Sequence, residues 1–266
     1  MADEVLYDVR DGVATLTLNR PDRLNAQNAE LFALALGHLE AAAEDDAVRV
    51  VVLTGAGRAF SAGGDLTQMA SGGGGGLGAS TRHARVRSLR ELTRTSQLLH
   101  EMPKVTIAAI NGACAGGGMS WALACDLRYA ARSARFTTAF VNAGLSGDFG
   151  MTWFLPRVVG PAAARELLFF ADRLDPDQAL ALGLVHAVFD DDDLLAEVYG
   201  RAATLASKAP LALAGLKANL GDSVGLGLGE HLEVESARLV DTIATADCAE
   251  AARAFLEKRP PRFVGK

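Results

Sequence analysis

The chain has 266 residues, half of them apolar, 22% charged and only 6% aromatic, with 28 glycines and three cysteines. That length buries a core without disulfide or metal staples, and the composition is that of a compact α/β protein, not a disordered or fibrous one. Lys plus Arg is 26 against 32 for Asp plus Glu, a net charge of −6, so no basic field invites nucleic acid.

The opening run Met1-Ala-Asp-Glu-Val-Leu-Tyr-Asp-Val-Arg10 is charged throughout. It has no basic segment followed by an apolar one, and nowhere do about 18 apolar residues run uninterrupted, so a soluble, unexported chain with no membrane partner is expected. Residues 13–18 alternate like a half-buried strand and end in the breaker run Asn19-Arg-Pro-Asp-Arg-Leu-Asn25. Leu31, Leu34, Ala35, Leu39 and Ala42 recur at helical spacing from 28 to about 44, and 49–54 is a continuous apolar strand bounded by Gly55 and Gly57. The run Ser71-Gly-Gly-Gly-Gly-Gly-Leu-Gly78 reads as a loop leading into an Arg-studded helix from about 82 to 102, which Pro103 ends. The arginines read as a solvated face. A third buried strand at 105–110 enters the turn Asn111-Gly-Ala-Cys-Ala-Gly-Gly-Gly118 and a short helix ending near Cys125.

Beyond Ala130 buried strand-like runs become scarce, and Ala/Leu-rich helical patterns dominate from Ala162 onward. Asp190 to Asp193 reads as a helix N-terminus favoured by the macrodipole. Asp247 and Glu250 read as a capping box opening a helix that stops at Pro260-Pro261. The expected organisation is an α/β core over 1–190 and a helical region over 191–266, the repeated strand-turn-helix units coiling as a spiral in preference to a doubly wound sheet. Cys114, Cys125 and Cys248 are odd in number and lack CxxC spacing, so neither a disulfide framework nor a zinc site is expected and a reducing cytoplasm fits. No His or carboxylate spacing suggests a metal.

Two Gly-rich turns follow buried strands, Phe60-Ser-Ala-Gly-Gly-Asp-Leu66 and Gly116-Gly-Gly-Met-Ser120. Glycine lets backbone N–H groups approach a ligand, and a helix starting near Gly117 adds the positive end of its dipole, so the pair suits an anion; relief of turn strain is the alternative. The second turn lacks the Lys of a P-loop, and neither spells GxGxxG in the setting a dinucleotide needs. Gly144-Leu-Ser-Gly-Asp148 has Asp where a nucleophile elbow needs its second Gly, which sets aside a serine hydrolase drawing on His186 or His231.

Five segments, in order, resemble the enoyl-CoA hydratase/isomerase (crotonase) superfamily: Asn19-Arg-Pro-x-x-Leu-Asn-Ala26; Phe60-Ser-Ala-Gly-Gly-Asp-Leu66; Asn111-Gly-x-x-x-Gly-Gly-Gly118 with Ala122-x-x-Cys-Asp126; Asp172-Arg-Leu with Gly183-Leu-Val185; and Phe255-Leu-Glu-Lys-Arg-x-Pro261. The resemblance implies a spiral of repeated ββα units, a C-terminal helical trimerisation region giving a homotrimer or homohexamer, and an acyl-CoA thioester substrate, with no separate cofactor. Carried onto this chain, it implies an oxyanion hole from the backbone N–H groups of Gly64 and Gly117. It places Ala62, Asp65 and Leu66 at the adenine pocket and Arg23, beside Leu24, near CoA phosphates, where a solvated charge is the alternative reading.

The chain departs from the family's hydratases at both of their glutamates, which fall here on Ser120 and Phe140. Neither supplies a general acid or base for hydration. The run through Gly147-Asp-Phe-Gly-Met-Thr-Trp153 resembles instead the epoxyphenylacetyl-CoA isomerase branch, whose Asp is the proton-shuttling base and aligns with Asp148, although Gly147, Phe149 and Met151 replace that branch's usual Pro, Ser and Gly. A helix cap at Asp148 is the bland alternative. The function expected is therefore double-bond isomerisation through an enolate. The rivals are a hydratase with a non-standard acid/base and a non-catalytic CoA-ester-binding or assembly subunit. Trp121, Phe140, Phe149 and Trp153 are expected near the acyl pocket, Ser120 beside the substrate, and His83 is the one histidine expected near it.

Overall fold

The computed structural model describes residues 3–65, 67 and 81–266. Leu66 and the glycine run at 71–78 lie outside the described residues.

The chain opens on a hairpin, β1 (Val5–Arg10) and β2 (Val13–Leu18), whose turn residues Asp11 and Gly12 both have positive φ, 49° and 78°. A two-residue loop with that pair of angles matches the twist of the strands it joins. Helix α1 (Ala29–Glu44) starts where Asn28 accepts a hydrogen bond from the Leu31 N–H. One unit then repeats along the chain. β3 (Val50–Gly55), β5 (Val105–Ile110) and β7 (Leu127–Ala131) each enter the large sheet, and each is followed by a short strand, β4 (Ala59–Ser61), β6 (Ala113–Ala115) or β8 (Arg135–Thr137), in a second sheet. The helices α2 (Arg82–Glu101), α3 (Gly117–Ala124) and α4 (Met151–Val159) follow in turn.

The large sheet has the order β1-β2-β3-β5-β7-β9, with β9 at Ala187–Phe189, and the small one β4-β6-β8. Apart from the β1–β2 hairpin, the ladders are parallel. The chain thus winds as a spiral of ββα units. Both faces of the large sheet are covered, which is why its central strands read as unbroken apolar runs. Val51, Leu53, Ala108 and Ile110 face α1, α2 and α3, whereas Val50, Val52, Ile107 and Ala109 face Leu194, Val198 and Ala202 of a later helix.

Helices α5 (Pro161–Phe170) and α6 (Pro176–Ala181) precede β9, and α7 (Leu194–Ala206), α8 (Pro210–Asp222), α9 (Leu228–Ile243) and α10 (Ala246–Glu257) follow it. The acidic run before α7 contributes to loop anchoring: Asp190 pairs with Arg132 at 3.1 Å and Asp191 accepts from the Ser133 N–H at 2.9 Å.

The capping box expected at Asp247 is corrected. Thr245 caps α10 by accepting from the Cys248 N–H. Asp247 is instead buried and holds the end of the chain, accepting from the N–H groups of Val264 at 2.7 Å and Gly265 at 2.9 Å. Glu250 does the same for Arg262, and its bonds with Arg259 and the Arg262 N–H pull its carboxyl down to about 2. Among the described residues no helix is long and apolar enough to cross a membrane, and no cluster of three metal-ligating side chains occurs.

Candidate active site

The two glycine turns come together because β4 and β6 are parallel neighbours, so the turns leaving the two strands lie side by side. Gly63, with φ 86°, passes so close that a Cβ there would meet the Ala115 carbonyl oxygen at 2.8 Å and the Gly117 nitrogen at 3.2 Å. Only a glycine fits that conformation and that approach. Among the described residues, neither the Gly64 N–H nor the Gly117 N–H donates to a protein acceptor. Gly117 opens α3, where orphan N–H groups and the helix dipole favour negative charge. The neighbouring turns thus present two N–H donors without a protein acceptor among the described residues.

The loop 19–27 clamps this arrangement, and Asn25 is its knot. Asn25 is fully buried in the left-handed conformation, φ 54°. Its Oδ1 accepts from the Arg20 N–H at 2.8 Å and its Nδ2 donates to the carbonyls of Ala59 at 2.7 Å and Ala56 at 3.0 Å. Arg20 in turn reaches Asp65 through both terminal nitrogens at 3.2 Å and Glu4 at 3.0 Å. With the Thr67 hydroxyl as the larger influence and Arg20 as a further one, the Asp65 carboxyl is held below its ordinary value. Asp65 therefore fastens the turn that carries Gly64. Ala62 is half-buried and donates from its N–H to the Leu24 carbonyl at 2.9 Å, and Leu24 has φ 51°. Arg23 is exposed and has no ionic partner among the described residues.

Asp148 lies between a 3-10 turn at Val141–Ala143 and α4, flanked by positive φ at Gly147 (106°), Phe149 (51°) and Gly150 (81°). A φ of 106° is closed to proline, which accounts for Gly147. A bulky residue at positive φ is an outlier. Here packing enforces it: the buried Phe149 ring stacks on Phe32 at 5.0 Å and meets Trp121 edge-on at 6.3 Å. With its neighbour anchored in the core, Asp148 is left half-buried, and its carboxylate accepts from the Phe149 N–H at 2.6 Å. Burial pushes its carboxyl above the ordinary value, and the Phe149 N–H opposes this in part.

The carboxylate does not cap α4, whose N-cap is Gly150 with no side-chain bond. It is the Asp148 backbone carbonyl that serves the helix, accepting from the Met151 N–H at 3.0 Å and also from the Ser120 hydroxyl at 2.9 Å. Ser120 is fully buried and ties the Asp148 loop to α3. Phe140 is half-buried against the core, at the start of the 3-10 turn.

The structure also places two other residues expected near the pocket. Trp153 faces away from Trp121 and Phe149, packing on His100, Phe154 and the Arg157 guanidinium at the surface. A residue on the first turn of a helix alternates face with its neighbours every 100° or so, and adjacency to Asp148 in sequence did not fix its direction. His83 is exposed in the first turn of α2. Asn25, Arg20 and Phe149 are structural anchors that the sequence does not announce, because an Asn among turn residues signals only a breaker until its partners are known.

The model of the enoyl-CoA hydratase/isomerase family matches residues 8–266. The chain is 38% identical to the 1,2-epoxyphenylacetyl-CoA isomerase of Escherichia coli, with all of both chains covered. It is 33% identical to the crotonyl-CoA hydratase of Syntrophomonas wolfei, over 99% of each. Among solved structures it resembles an enoyl-CoA hydratase from Bacillus anthracis, with a TM-score of 0.91, 30% identity, and 99% and 100% of the two chains covered.

Proposed function

The chain belongs to the enoyl-CoA hydratase/isomerase family, and from that premise we propose that it moves a double bond in an enoyl-CoA thioester by a single-carboxylate proton shuttle. The Gly64 and Gly117 N–H groups would hold the thioester oxygen and stabilise the enolate formed as a proton leaves the α or γ carbon. Asp148 would take that proton and return it to the other carbon. The observation that carries this reading is the state of Asp148: a half-buried carboxyl pushed upward, free of a cationic partner among the described residues, on a loop built around it. A desolvated carboxylate is a stronger base than one in water, which favours proton transfer.

Relatives of this chain include both isomerases and hydratases. What favours isomerisation is that the two places expected to hold a hydratase's carboxylates hold Ser120, buried and committed to the Asp148 carbonyl, and Phe140. Hydration needs one group to activate water and another to deliver a proton; a shuttle needs one. The test offers 2-enoyl- and 3-enoyl-CoA thioesters of several chain lengths and follows double-bond position and water uptake separately. Interconversion of the two series with little hydration is expected. Hydration of crotonyl-CoA at an enzymatic rate would overturn the isomerase reading, and CoA-ester binding with neither reaction would favour a silent subunit.

We further propose that α9 and α10 assemble the chain as a homotrimer or homohexamer. Leu228, Leu232, Leu239 and Ile243 lie exposed on α9, at 75%, 49%, 59% and 59%, an apolar face that a stable monomer rarely leaves bare. Sedimentation at micromolar concentration should give three or six chains; a stable monomer would contradict it.

A further inference from the structure

Gln27 is 2% exposed, yet neither Oε1 nor Nε2 of its side chain has a hydrogen-bond partner among the described residues. Buried amides are nearly always satisfied, since leaving one unpaired forfeits its bonds to water. The backbone around it is fully engaged: its N–H donates to the Gly63 carbonyl at 2.7 Å, its carbonyl accepts from the Asp65 N–H at 3.0 Å, and it forms a parallel bridge with Gly64. Bridged residues sit side by side, so the side chain leaves the backbone next to Gly64. Its carboxamide ends at Gly117, where an added Cβ would come within 2.3 Å of Oε1 and 3.5 Å of the Phe149 ring. The unpaired amide therefore runs from Gly64 to Gly117, the two glycines whose N–H groups have no protein acceptor among the described residues, on the side of Gly117 that the Phe149 ring also approaches.

We propose that Gln27 is a third donor to the oxygen of the reacting thioester, its Nε2 joining the Gly64 and Gly117 N–H groups as charge develops on that oxygen. This rests on the enolate reading of the site. The two ends of a carboxamide exchange places by a rotation of its last torsion, so Nε2 reaches where Oε1 lies. An amide kept dry and unpaired in the free protein gains its bond only when the ligand arrives. That bond is strongest to the enolate, so it contributes to kcat more than to binding.

The test compares wild type with Gln27→Met, which keeps length and shape without polar atoms, and with Gln27→Leu as a second variant should Met fail to fold. Removing a donor of this kind slows reaction by about 10². The expected result is a loss of about that size in kcat for α-proton exchange on an acyl-CoA thioester, with KM nearly constant. The melting temperature should be unchanged or higher, because replacing an unpaired buried amide with an apolar group costs nothing in hydrogen bonds. Equal exchange rates in wild type and variant would overturn the third donor, as would a loss confined to KM. A wild type that exchanges no α-proton on any thioester would instead remove the enolate reading on which the proposal stands.

Discussion

Asp148→Asn is expected to lower kcat by roughly 10² to 10⁴ while leaving the affinity for CoA thioesters nearly unchanged. The substitution keeps the shape and the acceptor for the Phe149 N–H and removes the charge proposed to take the proton. Its effect on stability should run the other way. Burial raises the Asp148 carboxyl in the folded protein, so between its unfolded and folded values the unfolded chain binds fewer protons, and stability falls as pH rises through that window. Above that window the ionised carboxylate destabilises the fold, and there the Asn variant should melt at the same or a higher temperature. For the wild type, the rate should fall on acidification through a pKa above the ordinary carboxylate range, since the base must be ionised to act. A variant that loses activity and stability together would point to a structural role.

Asn25→Ala is expected to be the most damaging single change to the fold near the site, at about 3 to 4 kcal/mol. It strands the Arg20 N–H and the Ala56 carbonyl and leaves the Ala59 carbonyl with only its 3.3 Å bond from Asn111 Nδ2, at about 1 kcal/mol for each bond lost, and it leaves in the left-handed conformation an alanine without the polar side chain by which Asn tolerates it, at about 1 kcal/mol more. For a chain of this size that corresponds to a fall in melting temperature of roughly 10 °C. Asn25→Gly should recover the backbone part and none of the hydrogen bonds, so it should melt between wild type and the Ala variant. Near-wild-type melting of the Ala variant would show that the loop is held by Arg20 and Asp65 instead.

The central strands were legible because burial on both faces writes an unbroken apolar run into the sequence, as at Val50–Gly55 and Val105–Ile110. β1 was not, because it lies at the sheet's edge with little but Val5 buried, and its only local sign was the Asp11-Gly12 pair. β8 and β9 are three residues each, below what periodicity resolves. At the site, the glycine turns advertised bare backbone from the sequence. Their partners did not show: Asp247 resembled a cap through spacing alone, while its bonds run to Val264 and Gly265, 17 and 18 residues away. Gln27 gave no sign at all, since an amide's missing partners are a property of the folded neighbourhood and not of its sequence context.

The most direct measurement of the proposed enolate chemistry is deuterium incorporation from heavy water into the α-carbon of an acyl-CoA thioester, followed side by side for wild type and Asp148→Asn. Exchange depends on forming the enolate and on the base that delivers the proton, without a need to know the natural acyl group. Enolate chemistry at this site requires exchange by the wild type and a loss of roughly 10² or more in the Asn variant at unchanged or higher melting temperature. Equal exchange by the two proteins would contradict it.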